Sequence, residues 1–420
     1  MKRVLMVAYH FPPLAGSSGI QRSLRFARHL PSVGWQPLVL TADPRAYERT
    51  SRDLDAEVPP GLVVRRAVAF DTARQLSWQG RYWGALARPD RWMTWQVDGV
   101  RVGMQMIREF RPDAIWSTYP IATAHVIAAR LQAKSGLPWV ADFRDPMAQD
   151  GYPADPKTWE HFRRIEETAM CRARCNVFTT PGAARVYAGR YPDHADTIRL
   201  IENGYDEESF ASVERDAVSM GPLCPGCLTV LHSGIVYPSE RDPTQLMEGL
   251  QRLKRAGVAD GSRLRIRFRA AVHDALLRDL ANRFDVADMV EIEPPVGYRD
   301  ALVEMLRADG LLVLQASNCN DQIPAKIYEY LRARRPLLVL SDPVGDTVRT
   351  LQATGIAQTA RLDDAEEIAA LFAVFLSEDS ARRALLPSES AVLGASREGR
   401  TRELAAALDE VVDRCAAIDR

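Results

Sequence analysis

The amino-acid sequence predicts an α/β fold made of two domains, each built on a parallel β-sheet. Two observations predict this class. The chain has 420 residues, more than one ordinary domain contains, and 46% of them are apolar, so that large cores are possible. Short apolar segments alternate with segments of helical periodicity along the whole chain, which is the pattern of parallel sheets with crossover helices.

The first predicted element is a strand over residues 3–9. Its basic and then apolar start is similar to a signal peptide, but no small-residue cleavage site follows, so a strand is favoured. A loop over 12–19 comes next, followed by a helix over 20–30. Gly16 and Gly19 in this loop allow backbone N–H groups to approach a ligand closely. The loop does not match G-x-G-x-x-G, so a nicotinamide cofactor is not indicated.

The rest of the first half repeats this alternation. Asp142 and Arg144 lie at the carboxyl end of one predicted strand, where open α/β sheets bind ligands. A buried Asp–Arg ion pair that holds the loop is an alternative role for such residues. The strands are predicted at 37–41, 62–67, 113–117, 138–143, 176–180 and 197–202, with a long helix at 159–175.

The region from Trp78 to Trp95 combines aromatic residues with interleaved arginines. This composition suits a lipid–water interface or an acceptor that carries phosphates. It also suits a pair of amphipathic helices with solvated arginines. We favour the helix pair because Asp90 and Asp98 dilute the positive charge.

Residues 211–227 are predicted as a linker because proline and glycine interrupt them. Cys224 and Cys227 form a C-x-x-C there. A zinc or redox role would call for a second such motif or a thioredoxin-like context, and the sequence has neither. A turn that happens to carry two thiols is therefore favoured.

The second domain starts again with a strand at 228–232. Arginine and apolar residues alternate strictly over 263–270, which predicts a half-buried strand. Its arginine face could bind an anionic partner, but a solvated face that protects the sheet edge is favoured. Further strands are predicted at 289–293, 310–315 and 337–341, and an amphipathic helix at 402–418.

The segment 321–331, Asp-Gln-Ile-Pro-Ala-Lys-Ile-Tyr-Glu-Tyr-Leu, gives the strongest indication of chemistry. Pro324 suits the first position of a helix, and the N–H groups and dipole of such a helix start favour an anion. Lys326 adds a full positive charge. Glu329 lies one turn further on, and its carboxylate can accept two hydrogen bonds from a sugar diol. These features suit a nucleotide sugar, and an ordinary amphipathic helix is the alternative.

This segment resembles the donor motif of retaining GT-B glycosyltransferases of the family 4 type, in which an acid precedes Pro-x-Lys-x-x-Glu-Tyr-Leu. The resemblance implies that Glu329 binds the ribose of the donor. It also implies that Asp321 lies near the transferred sugar, although Asp321 stands where glutamate is usual. The other donor contacts that it implies are Gly234, Arg241, Val296, Ile323, Pro324 and Lys326.

The same resemblance implies two Rossmann-like domains that face each other, with the C-terminal helix crossing back to the first. The expected boundaries are 1–210 for an acceptor-binding domain, 211–227 for the linker, 228–394 for the donor-binding domain and 395–420 for the final helix. On the acceptor side, the implied contacts are Gly16, Gly19, Arg22, Asp142 and Arg144.

The activity implied is transfer of a sugar, with retention, from a nucleotide diphosphate sugar to a glycan or lipid-linked acceptor, in cell-envelope or exopolysaccharide biosynthesis. Arg241 and Lys326 would stabilise the leaving diphosphate electrostatically, and Asp321 is the further catalytic candidate. Because that role needs no metal, no metal and no cofactor are expected. A nucleotide-sugar epimerase, a sugar phosphorylase or a non-catalytic scaffold on the same fold are the alternatives.

Charge and cysteine usage bound the partners and the location. The net charge of −1 gives no indication of nucleic-acid binding. The six cysteines are sparse, which fits a reducing cytoplasm, and no apolar segment is long enough to span a bilayer. We therefore expect a cytoplasmic protein, with peripheral contact to the inner face of the membrane through the first domain as an option.

Overall fold

The computed structural model describes residues 1–15, 17, 19–52, 54–79, 81–377 and 382–418. The chain forms two compact units. Unit 1 comprises Met1–Asn203 together with the chain from Arg397 onward, and unit 2 comprises Gly204–Ser396. The prediction of two α/β domains is confirmed, and the boundary between them lies earlier than the sequence suggested.

Unit 1 is built on a seven-stranded sheet whose neighbouring strands are all parallel. The strands are β1 (Lys2–Val7), β2 (Trp35–Ala42), β3 (Val63–Ala67), β4 (Ala114–Thr118), β5 (Trp139–Arg144), β6 (Cys175–Phe178) and β7 (Ile198–Leu200). Their order across the sheet is β3-β2-β1-β4-β5-β6-β7. Leu5 and Val7 of β1 pack on one face, and Val4 and Met6 pack on the other. Strands covered on both faces are apolar along most of their length, which is why the sequence located them well.

The helices of the first half connect these strands. They are α1 (Gly19–His29), α2 (Thr72–Gln75), α3 (Trp95–Phe110), α4 (Thr123–Ser135), α5 (Pro156–Arg172) and α6 (Pro181–Arg190). Short 3₁₀ helices lie at Leu30–Val33, Pro44–Ala46, Asp55–Glu57, Gly84–Ala87 and Pro192–Thr197. Local sequence sets the helix starts: the Asp155 side chain accepts a hydrogen bond from the backbone N–H of Thr158, and Thr180 does the same for Ala183.

Unit 2 is built on a five-stranded parallel sheet. Its strands are β8 (Leu228–Ser233), β9 (Leu264–Arg269), β10 (Val290–Glu293), β11 (Gly310–Gln315) and β12 (Leu337–Ser341), in the order β10-β9-β8-β11-β12. The chain runs outward from β8 to β10 and then returns to add β11 and β12 on the other side. The switch point therefore lies between β8 and β11, and the carboxyl ends of strands at such a point are where open α/β sheets bind ligands.

The helices of unit 2 cover both faces of this sheet. They are α7 (Glu207–Met220), α8 (Thr244–Arg255), α9 (Asp274–Arg283), α10 (Tyr298–Arg307), α11 (Lys326–Ala333), α12 (Asp346–Ala353), α13 (Ala365–Leu376) and α14 (Glu389–Gly394). Further 3₁₀ helices lie at Ala287–Met289, Ser317–Cys319 and Arg383–Leu385. Two apolar clusters, one on each face, form the core.

The last helix, α15 (Arg397–Ile418), packs on unit 1 although it follows unit 2 in the chain. Its Leu404 and Leu408 are buried in the cluster that covers one face of the unit 1 sheet. Asp409 accepts a hydrogen bond from Lys2 Nζ at 2.9 Å and another from Trp35 Nε1 at 3.2 Å. The predicted return of the C-terminal helix to the first domain is confirmed.

The predicted linker over 211–227 is wrong for its first half. Helix α7 covers that half, and the Asp206 side chain caps the helix by accepting from the backbone N–H of Ser209 at 3.0 Å. Phe210 and Val213 are buried in the core of unit 2. The helix was missed because its apolar residues are few and the proline and glycine that interrupt the segment come only after it ends.

The predicted helix pair around Trp78–Trp95 is also wrong. An isolated antiparallel bridge joins Trp78 to Arg81, and only the short 3₁₀ helix at 84–87 follows before α3. Trp95 is buried at the start of α3, whereas Trp78 and Trp83 are each 81% exposed. None of the helices within the described residues is both long and apolar enough to cross a lipid bilayer.

The arginines of β9 form a paired network rather than the solvated face that the sequence predicts. Glu291 accepts hydrogen bonds from Arg265 at 2.7 Å and Arg267 at 2.8 Å. Glu304 accepts two from Arg269, at 2.8 and 2.7 Å, and one from Arg267 at 3.1 Å. Arg269 is only 9% exposed. Helix α10 places Glu304 over the strand, a long-range contact that period-two alternation does not reveal.

Candidate functional site

In unit 2, a glycine and a lysine meet at the end of β8. Gly234 follows the strand with φ +126°, a conformation that side-chain-bearing residues rarely adopt. A Cβ at this position would lie 2.7 Å from Lys326 Nζ, closer than real contacts allow. The ammonium itself donates to the carbonyl of Ser233 at 2.6 Å. The lysine therefore occupies the space that the missing side chain leaves.

Electrostatics make Lys326 responsive to an anion. Burial and, to a smaller extent, the nearby Arg241 lower its pKa to about 7, while Glu329 acts in the opposite direction. The ammonium is therefore only partly protonated at neutral pH, and the expectation of a full positive charge is wrong for this arrangement. A phosphate beside Nζ would raise this pKa and favour the charged form.

Arg241 is held in place by its own loop. Its Nη1 donates to the carbonyl of Ile235, and its guanidinium lies 5.3 Å from the centre of the Tyr237 ring. The positive charge of Arg241 is one cause of the lowered pKa of Lys326, so the two side chains lie near each other. The structure thus brings together Gly234, Arg241 and Lys326, the three residues predicted to meet the diphosphate.

Tyr330 joins α11 to β8, a role that the sequence did not indicate. It is fully buried, and its hydroxyl oxygen accepts from the backbone N–H of Ser233 at 2.9 Å. Burial raises the pKa of this hydroxyl, so it stays protonated. Because Lys326 and Tyr330 both bond to Ser233, the helix start is fixed against the strand end from two sides. The spacing of four residues, one helical turn, is the signal that could have linked them.

Glu329 receives a hydrogen bond from a residue of another loop. Tyr298 Oη donates to Glu329 Oε1 at 2.9 Å. Val296 lies two residues before Tyr298 and is 42% exposed. The loop of Val296, an expected donor contact, is therefore adjacent to Glu329, the expected ribose ligand, and Tyr298 joins the two.

The loop before α11 differs in detail from the prediction. The helix begins at Lys326 rather than Pro324, whose carbonyl accepts from the N–H of Ile327 at 3.0 Å in a tighter first turn. Ile323 is buried in the apolar core, whereas Asp321 is exposed. Gln315 holds the loop by donating to the carbonyl of Gln322 at 3.0 Å.

In unit 1, Arg22 and Asp142 form a closed, buried ion pair. Arg22 Nε donates to Asp142 Oδ2 at 2.8 Å, and Nη2 donates to Oδ1 at 3.0 Å. Arg22 also donates to the carbonyls of Ile201 and Glu202, at 3.0 and 3.1 Å. Arg22 is 4% exposed and Asp142 is fully buried. The ion-pair alternative holds for Asp142, with Arg22 rather than Arg144 as its partner.

Arg144 ends β5 in a left-handed conformation, with φ +59° and a register shift beside it. Its Nε donates to Thr118 Oγ1 at 2.9 Å. Its Nη2 donates to the carbonyl of Gly19 at 3.0 Å and to Ser23 Oγ at 3.3 Å. Burial lowers the pKa of Arg144 to about 10, against the opposing effect of Asp142. The guanidinium still carries its charge at neutral pH and lies against the start of α1.

Gly19, the first residue of α1, is required by close approach. A Cβ there would lie 2.3 Å from His10 Nδ1 and 2.8 Å from Arg144 Nη1. His10 Nδ1 is 3.2 Å from Ser17 Oγ, which accepts from the N–H of Gly19 at 3.2 Å. His10 was missed because a single histidine after a strand carries no spacing signal. Gly16, the other glycine predicted here, lies outside the described residues.

The C-x-x-C residues lie at the start of the unit 2 sheet, away from these clusters. Cys227 is buried, and its Sγ is 3.9 Å from the carbonyl oxygen of Gly261. Both cysteines are free thiols. The residues with described positions include no group of three or more histidines, cysteines or acids placed to hold a metal ion.

Comparisons with known proteins agree with this fold. Residues 18–204 match a family model described as a glycosyl transferase 4-like domain. Sucrose-phosphate synthase from Thermosynechococcus elongatus is 14% identical, with a TM-score of 0.58 over 100% of this chain and 98% of that one. A glycosyltransferase from Rickettsia africae is 12% identical, with a TM-score of 0.63 over 98% of each chain. HepE from Anabaena, solved in complex with UDP, is 13% identical, with a TM-score of 0.58 over 100% of this chain and 99% of that one. A search of curated proteins found no match.

The fold implied by the donor motif is confirmed: the chain has two parallel α/β units of the GT-B type. Its first unit contains the glycosyl transferase 4-like domain, and the two parallel α/β units match the GT-B structures over nearly their full length.

Proposed function

We propose that the protein transfers a sugar from a nucleotide diphosphate sugar to a glycan or lipid-linked acceptor, with retention at the anomeric carbon. The observation that carries this proposal is the contact between Gly234 and Lys326 at the switch point of the unit 2 sheet. A residue without a side chain, a buried amine and a nearby guanidinium form a cationic cradle where a diphosphate would enter.

In this proposal, Lys326 and Arg241 stabilise the charge that develops on the departing diphosphate. Glu329 accepts hydrogen bonds from the ribose diol, and Tyr298 orients its carboxylate. The loop that carries Val296 borders the base. That HepE was solved with UDP and with UDP-glucose supports a uridine nucleotide as the first donor to test.

The catalytic role of Asp321 belongs to the same proposal. Its carboxylate is exposed and follows the 3₁₀ helix at the carboxyl end of β11. Ile323 and Pro324 shape the loop through their backbone and core contacts. No metal and no cofactor is part of the proposed reaction, because the cationic side chains meet the charge of the leaving group.

We further propose that unit 1 binds the acceptor and that the pathway is cell-envelope or exopolysaccharide synthesis at the cytoplasmic face of the membrane. The exposed Trp78 and Trp83, with Arg81 between them, suit peripheral contact with lipid headgroups. Arg22 and Asp142 are positioning residues in this proposal, since their ion pair holds β5 and the start of α1 together.

The test is binding and turnover with uridine, guanosine and adenosine diphosphate sugars. Binding of the nucleotides is measured by calorimetry, and turnover by release of the nucleoside diphosphate in the presence of a lipid-linked acceptor extract. Glu329→Ala should abolish turnover and weaken nucleotide binding by about tenfold or more, the usual cost of losing a charge-assisted hydrogen bond. Glu366→Ala, an exposed glutamate of α13, is the matched control. Normal turnover in Glu329→Ala would overturn the site assignment.

A further inference from the structure

Arg144 is a buried cation whose anionic neighbours, Asp142 and Asp145, act on it only from a distance. It is only 8% exposed, yet within the described chain it makes no ion pair. Its three hydrogen bonds go to neutral oxygens, those of Thr118, Gly19 and Ser23. Burying a charge without a directly bonded counter-charge is costly, and Arg22 shows the usual solution in its direct pair with Asp142.

The position of Arg144 increases this cost. Its Nη2 bonds to Gly19, the first residue of α1, and its Nη1 borders the Cα of the same glycine. The start of an 11-residue helix carries partial positive charge, so it repels a guanidinium and attracts an anion. An oxyanion between them would be stabilised by both.

One guanidinium nitrogen is left to bind such an anion. Arg144 Nη1 has no hydrogen-bond partner among the described residues and is not sealed from solvent. Each of its N–H groups is a charged donor, the kind that binds phosphate and carboxylate strongly.

His10 lies beside Arg144 at the same glycine and has a ring nitrogen that can act as a second donor. Ser17 Oγ accepts from the N–H of Gly19, so its own hydrogen is available for His10 Nδ1. Burial and the charge of Arg144 lower the pKa of His10 to about 3, so the ring is neutral and its proton sits on Nε2. Both Arg144 Nη1 and His10 Nδ1 approach the Cα of Gly19, so the guanidinium and the imidazole lie side by side.

We propose that Arg144 Nη1, His10 Nε2 and the start of α1 bind an oxyanion, a phosphate or a carboxylate, that the acceptor carries. This inference rests on the proposed function, since it assigns the anion to the acceptor. The donor diphosphate has its own cationic partners, Lys326 and Arg241, in unit 2. The acceptor is accordingly a phosphorylated or acidic sugar rather than a neutral one.

The experiment titrates inorganic phosphate, and separately glucuronate, into the full chain with saturating UDP present. Binding is detected as NMR line broadening of the titrated anion. UDP occupies the donor site, so the anion reports on unit 1. Arg144→Gln should weaken binding by at least about tenfold, as expected for the loss of a charged donor. Arg130→Gln removes an exposed arginine of α4 and should change nothing.

His10→Ala keeps the proposal testable if Arg144→Gln fails to fold. This variant leaves the three hydrogen bonds of Arg144 intact and should weaken binding of the anion several-fold. Unchanged binding in a folded Arg144→Gln or in His10→Ala overturns the proposal. If Arg144→Gln also loses affinity for UDP, and UDP displaces phosphate from the wild-type chain, the anion site belongs to the donor. That result overturns the proposal as well. If UDP fails to bind the wild-type chain, the proposed donor is wrong, while the effect of Arg144 on phosphate alone still decides this inference.

Discussion

Substituting Gly234 by alanine tests the phosphate cradle with a single methyl group. The new Cβ would lie 2.7 Å from Lys326 Nζ, and ordinary contacts begin at 3.4 Å, so the ammonium must move by about 0.7 Å. That shift strains the 2.6 Å hydrogen bond to Ser233 and takes the charge away from the donor phosphate. A charge-assisted hydrogen bond contributes about 1.5–3 kcal/mol, so the Kd for UDP should rise about tenfold to a hundredfold.

Backbone strain has to be separated from this displacement. Gly234 has φ +126°, and forcing alanine into such a conformation costs about 1–3 kcal/mol of folding free energy. Gly257 has φ +67° with open space around it, so Gly257→Ala strains the backbone without touching a side chain. Both variants should lose stability in thermal unfolding, but only Gly234→Ala should lose UDP affinity in calorimetry.

A double-mutant cycle completes the assay. In a Lys326→Met background, Gly234→Ala should add little further loss, because the group that the methyl displaces is already gone. Equal Kd values for Gly234→Ala and Gly257→Ala would refute the reasoning. A full additional loss in the Lys326→Met background would show instead that the methyl blocks the nucleotide directly.

Two further predictions concern pH and the buried ion pair. Because the pKa of Lys326 is lowered to about 7, the free protein loses this charge as the pH rises above 7. The affinity for UDP, measured by calorimetry, should therefore fall by up to tenfold per pH unit. The Lys326→Met variant should show no such fall. Asp142→Asn leaves Arg22 buried without its counter-charge and should destabilise unit 1 by about 3 kcal/mol, against no change for the exposed Asp193→Asn. Tryptophan fluorescence in urea measures this in unit 1 alone, because all eight tryptophans lie between Trp35 and Trp159, and equal midpoints for the two variants would contradict it.

Much of the fold followed from the sequence because most of the buried parallel strands are apolar along nearly their whole length. The predicted strands at 310–315 and 337–341 coincide with β11 and β12. The structure also places Lys326 and Glu329 of the donor motif on one helix, as expected, because the segment is short and its geometry is local. Short-range periodicity and helix-start chemistry are properties that a sequence states directly.

What the sequence could not show depends on contacts between distant residues. Arg22 and Asp142 are 120 positions apart, and nothing in either segment names the other as a partner. The burial that lowers the pKa of Lys326 arises from the packing of α11 against β8, so its charge was overestimated. Glu304 reaches the arginines of β9 from another helix, which turned an apparent surface into an interior network.

The position of α15 determines when unit 1 can be completed during synthesis. A ribosome makes the strands of unit 1 first, then all of unit 2, and only then the helix that covers Leu24 and Trp35. Until that helix emerges, one apolar face of the nascent amino-terminal sheet stays uncovered, and such faces recruit chaperones or aggregate. Translation of the full chain is thus a precondition for a finished amino-terminal unit, and a stop codon before residue 397 would leave the oldest part of the molecule incomplete.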